Sequence, residues 1–592
     1  MPLTAQRGGD MMKNKTTLRR LFSYVKPHLG LVIVALLTAI VSVALTLLAP
    51  ILTGNAIDKL AGRNNVDFPA LYTILTVLTV SVLISAASQW LMNICTSIIS
   101  YKVVRDLRAE VFDKLHRIPL RYIDTNSHGD LISRVVNDID SVSDGLLQGL
   151  AQFLVGVLTI LGTIAFMFSI NVTVAIVVVV LTPMSLFVAW FIAKFTHSAF
   201  TEQSRIQGEL SGYAEELIGN GNIVTAFAYE ERASAHYGEI NSRLRKAGVR
   251  AQWFSSLTNP STRFVNAMVY AIAAVMGCFV SVTAGTISVG AISSFLTYAT
   301  QYTKPFNEIT GVITQLQSAL ASAARVFAVI DEEDETPDGE YEIPQDECKG
   351  SVTLENVDFS YVPERPLIQD FNLDVAPGKR VAIVGPTGCG KTTLINLLMR
   401  FYDVTSGEIR VERHDIRSMK RSSLRSLYGM VLQETWLFCG TIRDNIAYAK
   451  PGATIEEITA AAKRAHIHSF IRRLPKGYDT VITEGGGNIS EGQKQLLCIA
   501  RVMLSMPPML ILDEATSSID TMTEIRIQKA FAEMMRGRTS FIVAHRLSTI
   551  RESDIILVMR DGNVIEQGTH DELLSREGAY FELYNSQFAA KQ

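Results

Sequence analysis

Nine consecutive residues, Gly385-Pro-Thr-Gly-Cys-Gly-Lys-Thr-Thr393, have the types and spacing needed to hold a polyphosphate. They fit G-x-x-x-x-G-K-[ST], with Gly385, Gly390, Lys391 and Thr392 at the fixed positions and Pro386, Thr387, Gly388, Cys389 and Thr393 completing the loop. Glycine lets the backbone curl until several N–H groups face one anion, and a helix starting there adds the positive end of its dipole. Lys391 reaches the β- and γ-phosphates, and the Thr392 hydroxyl ligates Mg²⁺. The motif needs a strand before it and a helix after it. Arg380-Val-Ala-Ile-Val384 reads as a buried strand, and Leu394 to Met399 has apolar residues at helical spacing. This part of the chain is expected to bind a nucleoside triphosphate.

Three more apolar strands end in polar side chains. Met509-Leu-Ile-Leu-Asp-Glu514 delivers Asp513 and Glu514 to a carboxyl end, where ligands bind in doubly wound sheets. Asp513 is suited to the Mg²⁺ shell, and Glu514 to orienting or deprotonating an attacking water. Phe541-Ile-Val-Ala-His545 ends in a histidine that is either a γ-phosphate contact or structural, and Gln433 follows a further strand end.

The elements that carry these residues fall into two kinds. With 592 residues the chain is too long for one core. Hydrophobic residues make up 48% with a mean hydropathy of +0.21, and they concentrate in the first half. Six apolar runs, near 30–53, 70–95, 146–169, 171–194, 263–284 and 287–308, each have the roughly 20 residues that a membrane helix requires. Lys and Arg are dense in 1–29, 101–145 and 195–262, so the positive-inside rule puts both termini and two long loops in the cytosol. Each long loop reads as a helix continuing a span, a short transverse piece and a return helix, interrupted at Pro119 and at Gly219-Asn-Gly-Asn222. Residues 1–16 read as disordered with no cleavable signal, and Leu18 to Pro27 as a basic amphipathic segment suited to the inner membrane surface.

Within the sixth run, Ser294, Tyr298, Gln301, Lys304 and Glu308 form a polar stripe at steps of three and four. It either lines a watery cavity or makes contacts between packed helices. Lys304 falls about 25 Å along the span, close enough to its inner edge to act as an interfacial anchor. The net charge of −3 offers no general basic field for a nucleic-acid partner, and six scattered cysteines give neither a disulfide framework nor a metal-ligand spacing.

Composition changes at 331–345, an acidic linker carrying Pro and Gly, and 346–592 reads as the nucleotide-binding domain. The alternating strand within Ser351–Tyr361 ends in an aromatic just before the core. The fold class expected is an all-α six-helix transmembrane domain followed by an α/β P-loop ATPase domain.

The chain resembles an ABC exporter half-transporter over nearly its whole length. The most specific mark is Asn488-Ile-Ser-Glu-Gly-Gln-Lys-Gln495, similar to the family's L-S-G-G-Q signature followed by a basic residue. The resemblance implies that the nucleotide is ATP with Mg²⁺, and that Tyr361 stacks on adenine. It implies further that Gln433 links the Mg²⁺ site to the transport domain, that Glu514 and His545 drive hydrolysis, and that Ser517-Ser-Ile-Asp520 crosses between paired cassettes. Ser490, Gly492 and Gln493 serve the nucleotide on the opposite cassette, so a dimer is implied, with the loop near Phe227 reaching the partner chain.

The signature departs from consensus, with Ile489 for Leu and Glu491 for the first glycine, whereas the chain's own phosphate-side residues are consensus. A carboxylate there repels a triphosphate unless it points away. That asymmetry resembles one subunit of a heterodimeric exporter; the alternative is a homodimer that tolerates Glu491. The function implied is ATP-driven export of an amphipathic solute (drug, peptide or lipid) by alternating access across a bacterial cytoplasmic membrane. An importer of the same architecture, or a nucleotide-gated channel that binds ATP without transport, are the other readings.

Overall fold

The computed structural model describes residues 16–60, 66–284, 287–432, 435–483, 489–513, 519–544 and 547–587. Gln433, Glu514, His545, Asn488, Ser517 and Ser518 lie outside the described residues, as does the side chain of Glu308. The chain forms two compact units, one comprising Met1–Arg117 and Asn126–Glu332, the other Ile118–Thr125 and Glu333–Gln592.

The first unit is helical. Its long helices are α1 (Leu29–Leu60), α2 (Phe68–Leu115), α3 (Ala151–Ile170), α4 (Val172–Gly219), α5 (Glu230–Ala284) and α6 (Val289–Ile330). Five stretches among the described residues are long and apolar enough to cross a membrane, and Val172–Met184 of α4 is a shorter apolar one. Helices α2, α4 and α5 run far beyond a bilayer's thickness, which is why charged residues fill their remaining lengths. Between α4 and α5 the chain turns through the short helix Gly221–Ala226 and a left-handed residue, Ala228, at φ 48°. The tip is apolar and exposed, with Phe227 80% accessible.

The polar stripe on α6 resolves residue by residue. Pro50 inside α1 cannot donate to the helix ladder, and carbonyls flanking such a break find donors on neighbouring helices. Ser294 Oγ donates to the Pro50 carbonyl at 2.7 Å, and the Tyr298 hydroxyl donates to that of Leu47. Both side chains are buried, and Tyr298 stacks on Phe166. These two residues therefore make helix-packing contacts, which leaves the cavity reading to Gln301 and the exposed Lys304. The helices come close here because both positions are glycine: a Cβ at Gly54 would lie 2.1 Å from Ser294 Oγ, and one at Gly290 2.0 Å from the Gly54 carbonyl. Asp58 closes the same end, accepting from Ser288 Oγ at 2.6 Å and from the Gly290 N–H at 2.7 Å.

The basic amphipathic segment is packed against protein on one side. Leu21 and Val25 are buried with Ile99, Val103, Leu107 and Phe327, while Leu18 and Phe22 remain exposed. Arg20 pairs with Asp331 at 2.5 Å and lies over the Phe327 ring at 4.4 Å.

The second unit is built on a six-stranded sheet. Its strands, with the chain's other main strands, are β1 (Val352–Phe359), β2 (Ile368–Val375), β3 (Arg380–Val384), β4 (Ser406–Val411), β5 (Tyr428–Val431), β6 (Met509–Asp513), β7 (Thr539–Val543), β8 (Ile555–Arg560) and β9 (Asn563–Gly568). The order across the large sheet is β9-β8-β3-β7-β6-β5, parallel except for the β8–β9 pair, while β2-β1-β4 and the short strand His414–Asp415 form an antiparallel sheet. Alternate residues of the central strands enter separate cores. Ala382, Val384, Leu510, Leu512 and Ile542 face one; Val381, Ile383, Met509, Ile511, Phe541 and Val543 face the other. Burial on both faces explains why these strands read as continuous apolar runs.

The acidic stretch 331–345 is stitched to this unit from Glu333 onward. Arg421, only 10% exposed, donates to the Thr336 carbonyl at 2.7 Å and to Asp338 at 2.6 Å, and Tyr341 stacks on His414 at 4.0 Å. Thr336 also donates to Asp403 at 2.7 Å. Part of its charge is held by basic residues of the domain, Asp338 by Arg421 and Glu342 by Lys420.

Candidate functional site

The sheet register gathers the strand ends named above. Ile383 of β3 pairs with Val543 of β7, Val543 pairs with Asp513 of β6, and Leu512 pairs with Val431 of β5. The segments that lead to the glycine loop, His545, Glu514 and Gln433 thus leave four adjacent strands at one edge. Neighbouring strands lie about 4.8 Å apart, so these exits span roughly 15 Å.

At this edge a cavity of about 560 Å³ is lined by Thr387, Gly388, Gly390, Lys391, Thr392, Thr393, Asp513 and Tyr361. The loop can curl only because of its glycines: Gly388 and Gly390 sit at φ 84° and 102°, and a Cβ at Gly385 would lie 2.2 Å from the Met559 carbonyl. The helix α7 (Lys391–Leu398) begins at Gly390, and its ladder opens with the Leu394 N–H donating to the Gly390 carbonyl at 3.1 Å. The N–H groups of Lys391, Thr392 and Thr393 precede that first bond and are available to an anion. Lys391 Nζ donates to the Gly385 and Pro386 carbonyls at 2.8 and 2.9 Å, folding over the loop it would share with a phosphate. Cys389 is buried beneath it, its Sγ 3.8 Å from Nζ. A ring of N–H donors, one ammonium, the threonine hydroxyls and one carboxylate is a set that fits a magnesium polyphosphate.

Tyr361 borders the same cavity. Its hydroxyl donates to Thr393 Oγ1 at 3.3 Å and accepts from Asn396 Nδ2 at 3.2 Å, which places the ring beside the start of α7. Tyr402 meets Tyr361 edge-on at 5.0 Å and donates its hydroxyl to Asp124 on the short helix Leu120–Thr125. Burial and the Asp124 carboxylate both push the Tyr402 phenol pKa upward. Neither Tyr402 nor Asp124 stood out in the sequence, since they are 278 positions apart. Gly562 was missed too: its N–H donates to the Cys389 carbonyl at 3.1 Å, and a Cβ there would collide with Leu367. The Asp561-Gly562 turn was the available signal.

The signature residues lie outside this cavity. Ser490 caps α8 (Glu491–Ser505) reciprocally with Gln493: Ser490 Oγ accepts from the Gln493 N–H, and Gln493 Oε1 accepts from the Ser490 N–H at 3.0 Å. Glu491 is exposed and paired with Lys494 at 2.7 Å, so its charge is offset within the same turn. Gly492 is buried where α8 meets the segment entering α9 (Thr521–Met535); a Cβ there would lie 2.5 Å from Thr523 Cγ2 and 2.9 Å from Ile519 Cγ2. Asp520 caps α9 by accepting from the Thr523 N–H at 2.9 Å.

A family model described as the ABC transporter transmembrane region matches residues 32–306, and one described as ABC transporter matches 368–517. A fatty acid ABC transporter ATP-binding/permease protein of Mycobacterium bovis is 43% identical over 531 residues, covering 89% of this chain and 84% of the relative. An ATP-dependent lipid A-core flippase of Syntrophus aciditrophicus is 34% identical over 573 residues, with 96% and 94% covered. A solved structure of a bacterial Atm1-family ABC exporter with ATP bound has a TM-score of 0.74 at 32% identity, covering 96% of this chain and 98% of that one.

Proposed function

Because the chain belongs to the ABC transporters, a multi-pass membrane exporter with its ATPase domain on the same polypeptide, we propose that it expels an acyl-chain or similarly amphipathic solute from the cytoplasmic membrane by alternating access. The ATPase activity is coupled to transport. What supports the substrate class is the cargo for which two relatives are named, fatty acid and lipid A-core, together with an exposed cation, Lys304, on a membrane helix.

For the site, Lys391 and the N–H groups that open α7 hold the β- and γ-phosphates, and Tyr361 stacks on the adenine. Thr392, Asp513 and Gln433 would hold Mg²⁺, whose charge offsets that developing on the phosphate oxygens. Glu514 takes the proton of the attacking water, and His545 steadies the γ-phosphate. The short helix at Leu120–Thr125 carries the ATPase cycle to the transport helices through Asp124 and Tyr402. A bacterial inner membrane with cytosolic termini suits the chain's charge distribution.

One observation supports the dimer: Ser490, Gly492 and Gln493 are not among the residues lining the cavity of the glycine loop, which suits a second cassette bringing its own signature to this nucleotide. The exposed tip at Phe227 suits a contact with that second chain. A heterodimer follows if Glu491 weakens the opposite site. The Lys494–Glu491 pair favours a homodimer instead, because it offsets the charge that made Glu491 unsuitable. Purifying the chain alone decides between them: vigorous ATPase as a homodimer removes the need for a different partner. Glu514→Gln is expected to lower turnover at least a hundredfold with ATP binding retained, as judged by nucleotide-analogue fluorescence. Unchanged hydrolysis would remove Glu514 from the reaction.

A further inference from the structure

Resting on the export reading, we propose that the groove between the cytosolic parts of α4 and α5 is a docking site for an acyl-chain amphiphile with an acidic headgroup. The headgroup sits on Lys246 and Arg250, and the first part of the chain on Phe195 and Phe254. The groove is open to one side and has a volume of about 930 Å³, within the range that holds an organic ligand.

Its lining is graded along its length. At one end Phe195 and Phe254 line it with their rings 5.9 Å apart, and just outside it Phe191 meets Phe195 at 5.2 Å and Trp253 meets Phe254 at 5.1 Å. Aromatic rings gather where headgroups meet hydrocarbon, and Phe195 follows the end of the predicted span 171–194. Toward the cytosol come Arg250, Lys246 and Arg243, the last about 16 Å below Phe254 along the helix. Arg243 is occupied by Glu209 at 2.8 Å, and the rim acid Glu202 is held by Arg205 at 2.8 Å. Lys246 and Arg250 are exposed, with no ion pair among the described residues. They stand one turn apart on α5, so one carboxylate or phosphate can meet both. An apolar surface leading down to two unneutralised cations is complementary to an anionic amphiphile entering from the inner leaflet.

The test uses the full chain in nanodiscs of neutral phosphatidylcholine, with oleate and uncharged oleyl alcohol as probes. Trp253 is kept as the sole tryptophan (Trp90, Trp190 and Trp436 replaced by Phe). We expect dibrominated stearate to quench Trp253 and oleate to compete with it. K246E/R250E should raise the dibromostearate concentration for half-quenching, and the oleate concentration for half-competition, about tenfold, K246Q/R250Q should raise both less, and basal ATPase should not change. Oleyl alcohol should be indifferent to either variant. Equal behaviour of oleate and oleyl alcohol, or wild-type quenching in both variants, overturns the proposal. So does cross-linking that puts a second copy of the chain in the groove. Quenching without any amphiphile effect on ATPase or transport supports the docking site and refutes the export reading instead.

Discussion

Replacing Gly492 with alanine asks what the glycine of the signature segment is for. The added Cβ would lie 2.5 Å from Thr523 Cγ2 and 2.9 Å from Ile519 Cγ2. Carbon atoms rest about 3.5–4.0 Å apart, so α8 and the start of α9 must separate by about 1 Å. Overpacking of that size costs about 1–3 kcal/mol, which for a domain of this size lowers the unfolding temperature by roughly 2–12 °C. Thermal unfolding of the full chain in detergent, with ATPase measured on the same preparation, reads both consequences. Thr523→Ser removes the nearer obstacle and leaves the Ile519 contact, so the double variant should recover about half of the lost stability and regain ATPase with it. If Gly492→Ala unfolds like the wild type yet loses ATPase, and Thr523→Ser restores nothing, the packing account is wrong. Close approach to nucleotide would then be the whole reason for glycine.

Three other outcomes follow from the same geometry. Tyr402→Phe removes the donor to Asp124, a charge-assisted bond worth about 1.5–3 kcal/mol; ATP binding should persist while substrate stimulation of ATPase falls several-fold, and an unchanged stimulated-to-basal ratio would exclude this coupling route. Ser294→Ala with Tyr298→Phe strips the donors from the Pro50 and Leu47 carbonyls, lowering thermal stability by about 1–2 kcal/mol with the apparent affinity for a stimulating amphiphile unchanged. The converse pattern would make this face a cavity lining. Burial works to raise the Asp403 pKa, but the bonds from Thr336 and Arg400 outweigh it and hold the carboxyl below its usual value. Its contribution is therefore complete above the unfolded value of about 3.9 and is lost as pH falls through the lower folded one. Proteolytic nicking between 333 and 345 should rise only below about pH 4, and a rise at pH 5–6 would rule Asp403 out as the anchor.

The nucleotide loop, the membrane helices and the departure at Glu491 were all legible in the order of residues. Each is a local matter: glycine's freedom at positive φ, the length of apolar helix that spans hydrocarbon, one carboxylate beside a serine. The alignment of strand ends was legible only in part, because apolar runs announce strands without giving their neighbours. The order β3-β7-β6-β5 depends on which crossovers pack, and that order set Asp513 beside Val543.

Other features needed the folded chain. Gly492 reads as a phosphate contact in sequence, but its surroundings are supplied by Ile519 and Thr523 from a later segment. The acidic stretch from 331 reads as a linker until Arg421, more than 80 positions later, reaches Thr336 and Asp338. Sequence alone determined what each segment is able to do, because dihedral preference, periodicity and charge act over a few residues. Tertiary structure decided which segments do it together, because burial and hydrogen-bond satisfaction are settled only when distant parts of the chain meet.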